Sequence, residues 1–275
     1  MNIIFYSIIL LSLLICVYVY YNNNNFILET LTIYKKQKKT KIPIFIIVHD
    51  RLECLKKSIN SYNTYIDQNI TPFEIVYYDS MSTYKPTVEF LKQQEKNGNK
   101  VYWSKINNHK LVLNAVNDYL KLHPTCKYFV ITDPDIELTN TNGDILEFYK
   151  FLLEKYQVMS VGPMLRIDDI PSYYPKKQNV IQSHTKQFWH KIPNKEKYKN
   201  NIYNIQFSPI DTTFQLFSRK RIPTNFPNNN CIRCYNPYMA KHLDWYLNPY
   251  IMTDDQKYYE KKSTNIAHWG KNITI

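Results

Sequence analysis

A chain of 275 residues, 44% hydrophobic and 21% charged, carries enough apolar side chains to bury one sizeable core and is not of disordered composition. Only four glycines occur, and neither GxGxxG nor GxxxxGK[ST] is present, which excludes a nucleotide site built on a glycine-rich phosphate loop. The formal net charge of +12 suits an anionic partner, but a nucleoside diphosphate and a nucleic acid would serve equally, so charge alone decides nothing.

Ile3 to Tyr21 contain no charge, and only Ser7, Ser12 and Cys16 break the apolar run. At about 1.5 Å per residue such a stretch crosses a hydrocarbon core of about 30 Å. The uncharged start and the bulky Tyr18, Tyr20 and Tyr21 suit an uncleaved anchor better than a cleaved signal peptide. Residues 1–21 are therefore expected to form a transmembrane anchor, making the chain a single-pass membrane protein. Residues 22–41 are expected to be a polar, basic stem, from Asn22 to Asn25 through Lys35, Lys36, Lys38, Lys39 and Lys41. A lysine cluster next to a span favours lipid headgroups over nucleic acid. Its position after the span puts the body on the cytosolic side by the positive-inside rule, whereas the sequons at Asn69 and Asn272 would be usable only on the lumenal side. The side stays open.

The folded domain is expected over residues 42–275. Pro43 to Val48 read as a buried strand, and Leu52, Leu55, Ile59, Tyr62 and Ile66 then recur at helical spacing. Phe73 to Tyr78 form a second strand ending at Asp79, followed by a polar helix near Lys85 to Glu95 and a turn at Asn97-Gly98. Lys100 to Trp103 make a third strand, and Leu111, Ala115, Val116, Tyr119 and Leu120 another helix. A fourth strand, Lys127 to Thr132, runs straight into Asp133. Such alternation, with wholly apolar strands, predicts an α/β fold with a mostly parallel sheet covered on both faces. Ligands then bind outside the carboxyl ends of the strands, which gathers His49, Asp50, Arg51, Asp79, Asp133 and Asp135 at one rim. Beyond about residue 160 the chain turns Pro-rich and aromatic, and an acceptor-side half with few regular elements is expected. Cys231 and Cys234 form a C-x-x-C without the two further ligands of a zinc site, leaving a local disulfide or two plain thiols.

Asp133-Pro134-Asp135 is the sharpest local feature. Two carboxylates on a stiff loop after a buried strand offer hard oxygen ligands for Mg²⁺ or Mn²⁺, although the same three residues also favour an ordinary turn. Asp79, at its strand end, faces either a nucleoside or its own turn beside Ser80 and Ser82. His49, Asp50 and Arg51 follow the first strand, where they can touch nucleotide or phosphate, while Asp50 would equally cap the next helix.

Taken together, Ile42 to Arg51, the strand end at Asp79 and Asp133-Pro134-Asp135 resemble the nucleotide-binding half of a GT-A glycosyltransferase similar to family 2. Ile210 to Phe214, Ala240 to Leu247, Tyr258-Tyr259 and Ser263 to Trp269 extend the resemblance to bacterial and large-DNA-virus glycosyltransferases over roughly residues 42–270. The likeness implies that Asp133 and Asp135 are the D-x-D motif binding metal and diphosphate, with His268 either completing the metal shell or packed beside Trp269. It implies a nucleoside diphosphate sugar donor and a glycan, lipid or protein acceptor, with inversion at the anomeric carbon. Asp211 stands where an acceptor-side carboxylate would act as general base and is expected to be semi-buried, with Asp169, Asp168 and Asp244 as rivals. The Q-x-x-R-W segment of processive synthases is missing, which argues against polymerisation. His184, His190 and His242 have no spacing that points to a site.

Overall fold

The computed structural model describes residues 18–21, 40–262, 269 and 273. Two compact units are present, one ending at Thr40 and the other spanning Lys41–Ile275. In the first, residues 18–21 are helical and exposed, and the rest of the expected anchor and stem lies outside the described residues. Among the described residues no helix is long and apolar enough to cross a membrane.

The second unit opens with strand β1 (Ile42–Val48), every residue of which is buried. Successive side chains of a strand point to opposite faces, so Ile44, Ile46 and Val48 enter one core while Phe45 and Ile47 enter another. Helix α1 (Leu52–Tyr65) follows, then β2 (Phe73–Ser80), α2 (Lys85–Lys96), β3 (Lys100–Ser104), α3 (Val112–Leu122) and β4 (Tyr128–Thr132). The first core is covered by Leu55 and Tyr62 of α1, Leu91 of α2 and, from α4 (Ile145–Tyr156), by Leu146, Tyr149 and Leu153. The second core is closed by Val112, Ala115, Val116, Tyr119 and Leu120 of α3. Burial on both faces is why β1 and β4 read as continuous apolar runs rather than alternating ones.

After β4 come a short strand β5 (Ile136–Leu138), then α4, β6 (Ser160–Pro163) and α5 (Lys177–His184). The chain continues through β7 (Asn194–Tyr198), β8 (Asn201–Phe207), β9 (Gln215–Ser218), β10 (Cys231–Cys234), β11 (Ala240–His242) and α6 (Asp254–Lys262). Nine strands join in the order β3-β2-β1-β4-β9-β6-β10-β8-β7. β1 to β4 are mutually parallel, and of the rest only β9 and β8 run against the others. The expected α/β layering is therefore present, but the second half is not irregular: it completes the sheet. The strands there were hard to read because they are short, as in Cys231–Cys234, or carry polar residues, as in the edge strand Asn194–Tyr198 and its neighbour Asn201–Phe207.

Cys231 and Cys234 also lie on a strand, β10, and not in a loop. Both are buried free thiols. Three residues apart on a strand they face opposite sides of the sheet, which rules out a disulfide between them.

Candidate functional site

The Asp-Pro-Asp loop sits at the carboxyl end of β4 and is held from two sides. From α1, Ser58 Oγ donates to the Pro134 carbonyl at 2.9 Å and Tyr62 OH to the Ile136 carbonyl at 2.8 Å, and Ser61 Oγ accepts from the Leu138 amide at 3.0 Å. From the loop before β9, the Thr212 carbonyl accepts from the Asp133 amide at 2.7 Å, and Thr212 Oγ1 donates to Asp133 Oδ2 at 2.5 Å. These contacts satisfy backbone groups that a turn beside a sheet would otherwise leave unpaired. They also fix where both carboxylates point.

β11 pairs antiparallel with β5, setting His242 opposite Ile136. That register brings His242 Nδ1 to 3.0 Å from Asp135 Oδ2, and the turn that follows supplies Asp244, with the Leu243 amide donating to the Asp135 carbonyl at 2.8 Å. One ligand atom from each of Asp135, His242 and Asp244 can be chosen so that all lie within 4.8 Å of one another. Arg51, the N-cap residue of α1, sends Nη2 between the two carboxylates, 2.9 Å from Asp135 Oδ2 and in direct contact with Asp244 Oδ1. Asp135 and Asp244 are each only 1% exposed, so their charges are compensated by Arg51 rather than by water. One oxygen of each, Asp135 Oδ1 and Asp244 Oδ2, is buried without a hydrogen-bond partner among the described residues.

Protonation follows from these contacts. Burial works to raise the Asp135 carboxyl, but Arg51 and His242 prevail and hold it well below the usual carboxylate range. Asp133 goes the other way: burial, then the neighbouring charge of Asp135, pushes its carboxyl up. Asp244 is likewise raised by burial, against the pull of Arg51. His242 would lose its proton to burial alone, yet Asp135 beside it raises it above its ordinary value. With all three carboxylates ionised, one guanidinium and one imidazolium would leave the cluster one positive charge short. Buried acceptor oxygens with no donor and an excess of carboxylate form the donor set of a hard divalent cation, so the residues present fit Mg²⁺ or Mn²⁺.

Two cavities meet here. The smaller, about 290 Å³, lies at the ends of β1, β2 and β4 and is walled by His49, Arg51, Ser80, Asn107, His109 and the Asp-Pro-Asp loop. The larger, about 900 Å³, is walled by α5, Pro209, Arg233, Trp245 and Trp269. Asp133, Asp211 and His242 belong to both walls.

The structure brings His49, Arg51, Asp133, Asp135 and Asp211 together at this junction. Asp50 is turned elsewhere: at φ 61° its carboxylate accepts from the Thr83 and Tyr84 amides, so it braces the loop that leads into α2 and does not cap α1. Asp79 accepts from the Ser82 amide at 3.2 Å and is in neither cavity wall. Asp169 is also outside both walls, its carboxylate engaged by Lys241 at 2.9 Å and by the Tyr246 hydroxyl, and Asp168 pairs with Arg166. Asp211 is exposed, which corrects the semi-buried position expected of it, because it stands in the loop before β9 and not on the buried strand itself. His268 lies outside the described residues.

Sequence reasoning passed over His242, Ser80, Asn107 and His109. For His242 a usable signal was present: it stands two residues before Asp244 in a segment that also carries Trp245.

No family model and no curated protein matches the chain. Among solved structures the chain is similar to S. aureus TarS 1-349, at 11% identity over 75% of this chain and 62% of that one, TM-score 0.41. It is similar to the mannosyltransferase PcManGT from Pyrobaculum calidifontis in complex with GDP-Man and Mn²⁺, at 14% identity over 74% and 59%, TM-score 0.40. GalNAc-T7 with UDP, GalNAc and Mn²⁺ follows at 15% identity over 47% and 24%, TM-score 0.35. The matched parts span between 24% and 62% of the TarS chains. At these identities and TM-scores the likenesses carry no weight beyond being noted.

Proposed function

We propose that this protein is a metal-dependent glycosyltransferase of the GT-A type, moving a sugar from a nucleoside diphosphate sugar to a glycan, lipid or protein acceptor with inversion. The observation that carries the reading is the meeting of two cavities at Asp133, beside Asp135 and Asp244, each of which has one buried oxygen without a donor among the described residues. The smaller cavity opens at the carboxyl ends of parallel strands, the position where α/β sheets bind nucleotides. His49, Ser80 and Asn107 would meet the nucleoside there, and the larger cavity would take the acceptor.

Asp133, Asp135, His242 and Asp244 would hold Mn²⁺ or Mg²⁺, which supplies positive charge for the departing diphosphate. Arg51 keeps Asp135 ionised and aimed. Asp211, which lines both cavities, would take the proton of the acceptor hydroxyl. As that proton leaves, the hydroxyl oxygen bonds to the anomeric carbon, and the carbon–oxygen bond to the diphosphate breaks with its electron pair going to the nucleoside diphosphate. Residues 1–21 are proposed to tether the enzyme to a membrane, and the basic stem to lie against anionic headgroups.

The test is release of nucleoside diphosphate from a panel of nucleotide sugars with Mn²⁺, Mg²⁺ or EDTA. Turnover of one donor that needs the metal and vanishes in Asp135→Ala, in protein still folded by circular dichroism, is the expected result. Equal turnover in EDTA, or in Asp135→Ala, would remove the central claim.

One observation favours a second reading, a non-catalytic nucleotide-sugar-binding module. Arg51 already compensates Asp135 and Asp244, as a protein without a metal would require. On that reading a donor binds equally with and without EDTA and is never turned over.

A further inference from the structure

Arg233 belongs to β10 and lines the large cavity, yet it is 5% exposed. Its Nε donates to the Pro209 carbonyl at 2.8 Å and Nη1 to the Pro163 carbonyl at 3.3 Å, and the Phe188 ring lies 4.3 Å from its Cζ. Neutral carbonyls and an aromatic face position a guanidinium but do not cancel its charge. No carboxylate among the described residues forms a salt bridge with it, whereas the comparably buried Arg51 holds two. No hydrogen bond among the described residues uses Nη2, so part of the planar donor fork is left over. Burial lowers its pKa to about 10, and Asp211 on the same cavity wall offsets this only in part, the opposite of what the paired carboxylates do for Arg51.

An uncompensated buried cation is costly unless an anion arrives to meet it. The donor's diphosphate is not that anion, because Arg233 is absent from the wall of the smaller cavity where the nucleotide would sit. On the same large cavity Asn179, Ser183 and Gln187 supply uncharged polar groups. A cavity of about 900 Å³ is also roomy enough for a multi-atom ligand, since small-molecule sites run about 300–1,000 Å³.

We infer that the acceptor carries an oxyanion, a carboxylate or a phosphate, that Arg233 receives in the large cavity while a neutral hydroxyl of the same molecule faces Asp211. The inference rests on the glycosyltransferase reading only for the word acceptor; the oxyanion site stands on Arg233 and the cavity. A planar guanidinium is suited to either group through paired hydrogen bonds.

The experiment uses the full chain and two matched probe pairs, glucuronate against glucose and glycerol 3-phosphate against glycerol, read by isothermal titration and thermal shift. The charged member of at least one pair is expected to bind and the neutral member not, and which pair responds tells carboxylate from phosphate. In Arg233→Met, binding should weaken by about 10- to 100-fold, the range for loss of charge-assisted hydrogen bonds. Should that variant fail to fold, Asn179→Trp, at an exposed position on the cavity wall, must weaken the same binding by obstruction. Charged and neutral probes binding alike, or charged binding unchanged in the folded variants, would overturn the oxyanion site. Donor hydrolysis by the wild-type chain is measured in parallel. Its absence alongside Arg233-dependent anion binding would sink the transferase reading and leave the oxyanion site standing.

Discussion

Arg51 offers the most demanding test of the site's electrostatics. Among the described residues it alone forms salt bridges with both Asp135 and Asp244, and all three side chains are no more than 8% exposed. Arg51→Met keeps the length and packing of the side chain but leaves two buried carboxylates facing each other without a guanidinium. Breaking a buried pair by removing one partner costs about 3–5 kcal/mol, because the remaining charge is stranded. For a chain of this size about 1 kcal/mol moves Tm by roughly 2–4 °C, so the drop should be roughly 6–20 °C. Two additions should restore part of the loss. Asp244→Asn in the same chain removes one stranded charge, and Mn²⁺ at a hundredfold excess over its Kd should return about 2.7 kcal/mol. The assay is urea unfolding by far-UV circular dichroism with and without Mn²⁺, read as a change in midpoint at constant m. If Arg51→Met stays within about 0.5 kcal/mol of wild type, as for an ordinary surface substitution, and Mn²⁺ moves neither protein, the picture of a charge-deficient cation site is wrong.

Asp135→Ala should cut Mn²⁺-dependent donor turnover by at least about a hundredfold, as expected for a group that orients transition-state charge, measured as kcat/KM on the responding donor. Tyr62→Phe deletes the hydroxyl that holds the Ile136 carbonyl at 2.8 Å. It should lower stability by about 1–2 kcal/mol and turnover by about tenfold while the donor itself still binds, which titration of the nucleotide would check. His184 is buried against Trp245, and burial pushes its pKa down to about 3. The unfolded chain takes up this proton below about pH 6.5 and the folded chain does not, so stability is complete above that pH. It should fall by about 1.4 kcal/mol per unit as pH drops from about 6.5 towards 3, and His184→Gln should flatten that slope in acid unfolding curves. Cys231 and Cys234 should resist a thiol reagent until the chain unfolds, and dithiothreitol should leave Tm unchanged; a reductant-sensitive Tm would contradict their placement on opposite faces of β10.

Much of the first half was legible because local pattern and global environment agree there. β1 and β4 are buried on both faces and read as apolar runs, and the helical spacing of Leu52, Leu55 and Tyr62 is the spacing that α1 presents to the core. The second half hid its strands because β7 and β8 carry polar side chains at a sheet edge and β9, β10 and β11 are only three or four residues long. Runs that short have no period to detect. Asp50 and Asp79 show a different limit. Both stand at strand ends as nucleotide ligands would, but hydrogen-bond geometry assigns their carboxylates to backbone amides of the adjoining loop.

From the order of residues alone came the α/β alternation, the rim of strand ends and the paired carboxylates of Asp133 and Asp135, since each depends on neighbours within a few positions. What only the tertiary structure decided is who joins them. His242 and Asp244 reach Asp135 because β11 pairs with β5 across more than a hundred residues of chain, and Arg51 reaches both from the head of α1. Arg233 acquires its meaning in the same way, since among the described residues no carboxylate forms a salt bridge with it. Charge balance in a buried site is summed over space and not along the sequence, so no spacing rule could have disclosed it.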